Sequence, residues 1–278
     1  MSNKKHALTI FSLTMITVGS VDSIRNLPAT ALFGSQLITF FVLGALFFLI
    51  PTALISAELS SAWPQQGGVY VWVKKAFGRH AGLVAIWLQW VENVIWYPTI
   101  LSFVAGTIGY LINPHLSDNP LFLWLLISCL FWATTFVNMC GMRSYAWMSN
   151  ICTIIGLIIP MILIILLGAL WIIGDNPLQT SFDIKSITPN LADHSVWVSL
   201  TAIMLSFCGV EIATVHANDV DNPQHAFPKS LFYAVIIILS TLMFGSLAIA
   251  IVLPKNEINF VAGIMQAFHA FFARYNML

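Results

Sequence analysis

Of 278 residues, 59% are hydrophobic and only 8% charged, against about 25% charged in an ordinary soluble domain. This excludes a soluble globular protein and points to an integral membrane one. The formal net charge is zero, which favours neither nucleic acid nor an acidic partner.

The chain starts with the polar stretch Asn3-Lys4-Lys5-His6, followed by an apolar segment over residues 7–34 that is long enough to cross a bilayer. Inside it stands Val18-Gly19-Ser20-Val21-Asp22-Ser23-Ile24-Arg25-Asn26-Leu27-Pro28. A charged pair, a glycine and a proline there are costly unless they line a cavity. The segment is no removable signal peptide: no small-residue cleavage site follows it. Two readings stand: a transporter helix broken at mid-membrane, or a kinked structural helix with an internal Asp22–Arg25 ion pair. In the first, free N–H groups on one half-helix and free C=O groups on the other suit the carboxylate and ammonium of an amino acid.

The second span covers residues 36–57 and ends at Glu58. A polar connection over 61–79 holds Trp63-Pro64-Gln65-Gln66-Gly67-Gly68 and the basic cluster Lys74, Lys75 and Arg79. Its Gly67-Gly68 pair reads as a tight turn at an inner gate, with Trp63 and Tyr70 packing on it; no phosphate-loop residues follow. A third span over 81–112 exceeds the usual length of about 20 residues and should tilt. After a turn-rich loop at 113–120 come a fourth span (121–142) and a fifth (148–174). The loop at 175–194 is the longest polar one. A sixth span, 195–217, is interrupted near Gly209 and Glu211, and a polar loop at 218–229 leads to a seventh span at 230–253. Residues 258–273 are apolar for too short a run to span, so an interfacial or half-inserted helix is expected.

With the N-terminus inside, the cytoplasmic side collects Lys4, Lys5, Lys74, Lys75, Arg79, Arg143 and Lys229, and the outer side only Lys185, Lys255 and Arg274. This is the positive-inside bias. A weak internal repeat is also visible. Spans one and six each carry a glycine shortly before an acid (Gly19…Asp22; Gly209-Val210-Glu211), then an Asn, a Pro and an uninterrupted apolar helix. A five-plus-five inverted repeat needs about ten helices; here the copy stops after its second, so the chain reads as truncated.

Glu211, in Ser206-Phe207-Cys208-Gly209-Val210-Glu211, is the sharpest chemical candidate. It is either a proton-exchanging carboxyl or one locked to a neighbouring backbone or hydroxyl donor. On the third span, Gln89, Asn93 and Trp96 share one helical face, which either looks into the cavity or anchors at the interface. Glu92 is a second possible partner for Arg25. His216, Asp219 and Asp221 read as a solvated helix end, and His269 as structural. Cys129, Cys140, Cys152 and Cys208 have no metal-ligand spacing and read as structural thiols. No hydrolase triad, zinc motif or dinucleotide fingerprint is present, so no enzyme, cofactor or metal is implied.

Four stretches carry a resemblance. They are Asp22-Ser23-Ile24-Arg25-Asn26-Leu27-Pro28; Ala57-Glu58 with Gly67-Gly68-Val69-Tyr70-Val71-Trp72-Val73; Gly209-Val210-Glu211 with Asn222-Pro223 and Phe227-Pro228; and Leu253-Pro254-Lys255-Asn256-Glu257-Ile258-Asn259. With them the sequence resembles the amino acid–polyamine–organocation superfamily, and more narrowly the bacterial glutamate:γ-aminobutyrate antiporter family. The resemblance implies an all-α, LeuT-like inverted-repeat transporter fold of twelve helices, here cut after the seventh plus an extracellular helix. It implies an amino acid substrate held by Val21, Asp22 and Ser23, by Ser206, Phe207 and Cys208, and by Asn93, with Glu211 as the acid of proton-dependent gating. The bacterial cytoplasmic membrane is the implied location. Three features depart from the family pattern: Val21-Asp22-Ser23 replaces a glycine-serine-glycine break, Leu205 replaces an aromatic gate, and spans eight to twelve are missing. An acid in the break disfavours a second negative charge, which tilts the expected substrate towards neutral or zwitterionic amino acids.

The expected function is therefore secondary amino acid antiport. The alternative is a non-transporting membrane fragment that needs a partner or the missing helices. A channel is disfavoured because no like-residue ring or filter-like carbonyl repeat appears.

Overall fold

The computed structural model describes residues 8–116, 119–190, 192–258 and 263–274. The polar start at residues 3–6, Ser117 and Asp118 of the fourth-span loop, and Asn259 lie outside the described residues. Among the described residues ten helices organise the chain: α1 (Ile10–Val21), α2 (Asn26–Ala31), α3 (Gly34–Ala62), α4 (Val69–Phe77), α5 (Arg79–Ile112), α6 (Pro120–Met139), α7 (Ser144–Ile173), α8 (His194–Ser206), α9 (Pro223–Val252) and α10 (Gly263–Arg274). Shorter helical turns lie between them. Five of the ten, α3, α5, α6, α7 and α9, are long and apolar enough to cross a membrane, and α1 and the Val196–Ser206 stretch of α8 are shorter apolar helices. The expected interruptions in the first and sixth segments are what shorten these two.

Local chemistry explains the helix ends. Thr9 caps α1, its Oγ1 accepting from Ser12 N at 3.2 Å, which satisfies one of the N–H groups a helix start leaves open. Within α1, Thr14, Thr17 and Ser20 donate to carbonyls four residues back, at 2.9, 2.9 and 2.7 Å, so their hydroxyls cost little in apolar surroundings. In α3 and α7 a single π-turn, Ala45–Leu49 and Ile154–Ile158, runs up to an Ile-Pro pair. A proline lacks an N–H and its ring crowds the carbonyl four residues earlier (Phe47, Gly156), and the wider turn accommodates this.

The hub is α9. Helices α1, α2, the second half of α3, and α7 all pack along it, and it carries fully buried Ile238, Leu242 and Ile249. Small residues permit the approach: a Cβ on Gly168 of α7 would sit 2.6 Å from that of Ala248, and one on Gly245 about 3.1 Å from Leu27. Three polar contacts staple the broken first span to α9. Thr14 Oγ1 reaches Ser230 O at 3.3 Å, Thr30 Oγ1 meets Ser246 Oγ at 2.5 Å, and Asp22 Oδ2 meets Thr241 Oγ1 at 2.6 Å. Interhelical bonds of this kind contribute about 0.6 kcal/mol each in membrane proteins.

Several sequence expectations change. The connection at 61–79 is not all loop but contains α4, which exposes Lys74 and Lys75 and places them over the rings of Tyr70 and Trp63 at 5.5 and 5.0 Å. The polar stretch 218–229 is partly helix, because Pro223 sits at the first turn of α9, where a missing N–H costs nothing. The long polar loop at 175–194 packs onto α3 and α9. Gln179 N donates to Ile251 O at 3.0 Å, Ser35 Oγ to Ser186 O at 3.0 Å, and Thr39 Oγ1 to Ile187 O at 2.8 Å. Near the end of the chain, α10 turns Ile264, Ala267 and Phe271 inwards, with Phe271 edge-on to Trp171 at 5.9 Å.

Candidate functional site

Two breaks face each other. The first separates α1 from α2 at residues 22–25, where the N–H groups of Ser23, Ile24 and Arg25 donate to no backbone carbonyl among the described residues, while Asn26 N closes the turn on Ser23 O at 3.0 Å. The second follows α8, where Phe207 N and Cys208 N still bond to Met204 O and Leu205 O at 3.1 and 3.2 Å, but the Phe207 and Cys208 carbonyls accept no backbone bond among the described residues. Beyond it the chain continues as a 3₁₀ stretch, Ile212–Asp219.

Gly209 brings the breaks together. Its φ of +105° is in the range that L side chains rarely adopt, and a Cβ there would lie 3.3 Å from Ser20 O and 3.6 Å from Val21 Cγ2. Phe207 anchors the second break from behind: it is fully buried, edge-on to Phe41 at 5.8 Å, and sits against Gly44. Of the expected substrate-binding residues, Val21, Asp22 and Ser23 therefore stand at one break and Ser206, Phe207 and Cys208 at the other. Ser206 Oγ is turned back onto Ile203 O at 2.7 Å.

Among the described residues Asn93 makes no hydrogen bond to either break. It lies on α5, which leans mainly on α4 and α6, and its Nδ2 donates to Gln89 O of its own helix at 2.8 Å. The anticipated ion pair is not formed either. Among the described residues no ion pair joins Asp22, Arg25 or Glu92; Glu92 is exposed, and buried Asp22 pairs with the Thr241 hydroxyl instead. A hydroxyl partners a buried carboxyl without the cost of desolvating a second charge. Glu211 is half-buried just past the break, with the N–H groups of Gly209 and Glu211 against its carboxyl and its own C=O taken by Thr214.

Sequence reasoning missed Thr241. The signal was present, a lone polar pair Ser240-Thr241 in the apolar run of α9. Leu205, in the place of an aromatic gate, is 70% exposed and lines an apolar groove with Trp197, Val198, Thr201 and Ala202. A separate cavity of about 260 Å³ lies between the start of α3, the packed loop and Lys255.

The family model described as amino acid permease matches residues 8–277. An uncharacterized transporter of Legionella pneumophila is 45% identical over 277 residues, covering 100% of this chain and 60% of the relative. A glutamate/gamma-aminobutyrate antiporter of Lactococcus lactis subsp. cremoris is 28% identical over 279 residues, 99% of this chain and 55% of its own length. A protein named probable agmatine/putrescine antiporter, from Lactococcus lactis subsp. lactis, is 24% identical over 275 residues, 96% and 56% respectively. The chain thus spans little more than half the length of these relatives.

Proposed function

This chain belongs to the amino acid permease family, and on that premise we propose that it forms the substrate-gripping part of a secondary amino acid exchanger in a bacterial cytoplasmic membrane. The observation that supports this reading is the contact at Gly209, which packs the second break against Ser20 and Val21 at the end of α1, so that the break with unbonded N–H groups adjoins the break with unbonded carbonyls. Half-helix ends bear about half a unit of charge, enough to orient a zwitterion without a dedicated counter-ion. The Ser23–Arg25 amides then receive the carboxylate, and the Phe207 and Cys208 carbonyls the ammonium, as in discontinuous-helix transporters. The names of the relatives fit exchange of one amino acid or amine for another. Amino acid counterflow across a sealed vesicle tests it.

A second reading, a membrane piece that grips no substrate until further helices or a partner complete the site, is favoured by α5. Its polar Gln89–Asn93 face stands on a helix that packs mainly on α4 and α6, and Asn93 spends its amide on Gln89 O of the same helix.

The exchanger places seven crossings in the membrane with α4 on the inner side and Lys255 on the outer. In a variant without native cysteines, Lys75→Cys is expected to resist an impermeant thiol reagent in intact cells while Lys255→Cys reacts. Both positions are exposed in the structure. The reverse labelling pattern would overturn the orientation.

A further inference from the structure

The contact between Asp22 and Thr241 contains a proton count. Thr241 Oγ1 lies 2.6 Å from Asp22 Oδ2 and also 2.6 Å from Ile237 O, one turn back on α9. Both distances are those of O–H···O hydrogen bonds. A threonine hydroxyl has a single hydrogen to donate, and neither a carbonyl nor an ionised carboxylate has any. One hydrogen shared between the Asp22 oxygen and the Ile237 carbonyl, with Ile238 O at 3.2 Å besides, would leave each bond weak, whereas a proton on the Asp22 carboxyl gives both short contacts a hydrogen of their own.

Burial points the same way. Asp22 is 5% exposed, and its Oδ1 has no hydrogen-bond partner, although the Ser23 N–H is nearby. An ionised carboxylate buried with one oxygen bare would be among the costliest groups in the molecule, whereas a neutral acid tolerates a bare carbonyl oxygen far better. No charge compensates. Arg25 on the next turn forms no ion pair with it among the described residues, and α1 and α2 carry no ionisable side chain. On the facing elements, Cys208 and Glu211 border the second break, and His225, Lys229 and Tyr233 lie at least two turns from Thr241 along α9. Tyr145 and Cys152 belong to α7, which packs on α1; Arg274 of α10 is bonded to Asn176 at 2.7 Å, and His269 stands one turn before it. None of these hydrogen-bonds or ion-pairs with the Asp22 carboxyl.

We infer that Asp22 is a proton-binding site, holding its proton on Oδ2 and donating it to Thr241 Oγ1, which donates in turn to Ile237 O. This does not depend on the exchanger reading. Its consequence for transport, that Asp22 takes a proton into the cycle, does rest on that reading. A neutral Asp22 also removes the repulsion that the sequence alone set against acidic substrates.

Infrared spectroscopy of the 278-residue chain in lipid nanodiscs tests the inference. At neutral pH we expect the C=O stretch of a protonated carboxyl, shifted by deuterium exchange. Asp22→Asn should remove that component and Glu211→Gln should leave it. Thr241→Val should move it to higher wavenumber, because its hydrogen-bond acceptor is gone. Replacing potassium by sodium at constant ionic strength should change nothing. A spectrum unaltered by Asp22→Asn would overturn the inference, as would loss of the component on adding sodium, which would mean a bound metal cation. If Asp22→Asn does not fold, the Thr241→Val spectrum decides alone, and an unshifted band is then the contrary result.

Discussion

Gly209→Val is expected to weaken substrate binding by the proposed exchanger at least about 5-fold while leaving the helices formed. The reason is geometric. At φ +105° a β-branched residue is held in a region that costs about 1–3 kcal/mol. A Cβ would also press on Ile212 Cδ1 at 3.2 Å and on Ser20 O at 3.3 Å. The chain relieves both by rotating the second break away from the first, which separates the amides meant for a carboxylate from the carbonyls meant for an ammonium. A loss of 1–3 kcal/mol in the binding-competent state alone lowers affinity about 5- to 150-fold, and misplacement of the carbonyls adds to it. Equilibrium binding of radiolabelled substrate measures this, with helix content followed by circular dichroism. Wild-type affinity in Gly209→Val would show that the break-on-break contact does not form the site.

The second large effect is on pH dependence. Glu211 follows the break directly and leads into the 3₁₀ stretch Ile212–Asp219. Gly68 of the Gly67-Gly68 turn packs there too, a Cβ on it falling 3.0 Å from Thr214 Oγ1 and Val215 Cγ1. On the orientation proposed above, a change of charge at Glu211 is felt where the inner side would open. If its proton affinity differs between inward- and outward-open states, each unit of difference biases the gate by about 1.4 kcal/mol, a factor of about ten. Glu211→Gln is uncharged at every pH, so exchange by this variant is expected to lose most of its variation with pH while substrate binding stays measurable. A mutant that keeps the wild-type profile would make Glu211 structural and leave Asp22 as the group that reads the proton.

Much of this architecture is legible in the sequence because the membrane allows few solutions. Buried backbone must be paired internally, so long apolar runs become helices. Gly, Asp and Pro inside such a run mark a break, and both breaks fall where Asp22 and Gly209 place them. What is not legible depends on tertiary pairing. Asp22 and Arg25 at i,i+3 look like an ion pair only on a continuous helix; once α1 ends at Val21, the carboxyl turns to α9, and no sequence spacing links residue 22 to residue 241. The surroundings of Asn93 are hidden for a similar reason. Helical periodicity puts Gln89, Asn93 and Trp96 on one face but does not say which neighbour α5 leans on. The helix α4 was hidden because its amphipathic run, Val69 to Phe77, ends in Lys74 and Lys75 and reads as a polar connection.

Counterflow tests the central claim most directly. The longest natural polypeptide carrying these residues is reconstituted in liposomes loaded with one unlabelled amino acid or polyamine at a time, and the labelled compound is offered outside. Secondary exchange predicts transient accumulation of label that requires the internal compound and falls in Gly209→Val. No accumulation above empty liposomes with any amino acid, γ-aminobutyrate or polyamine would contradict it.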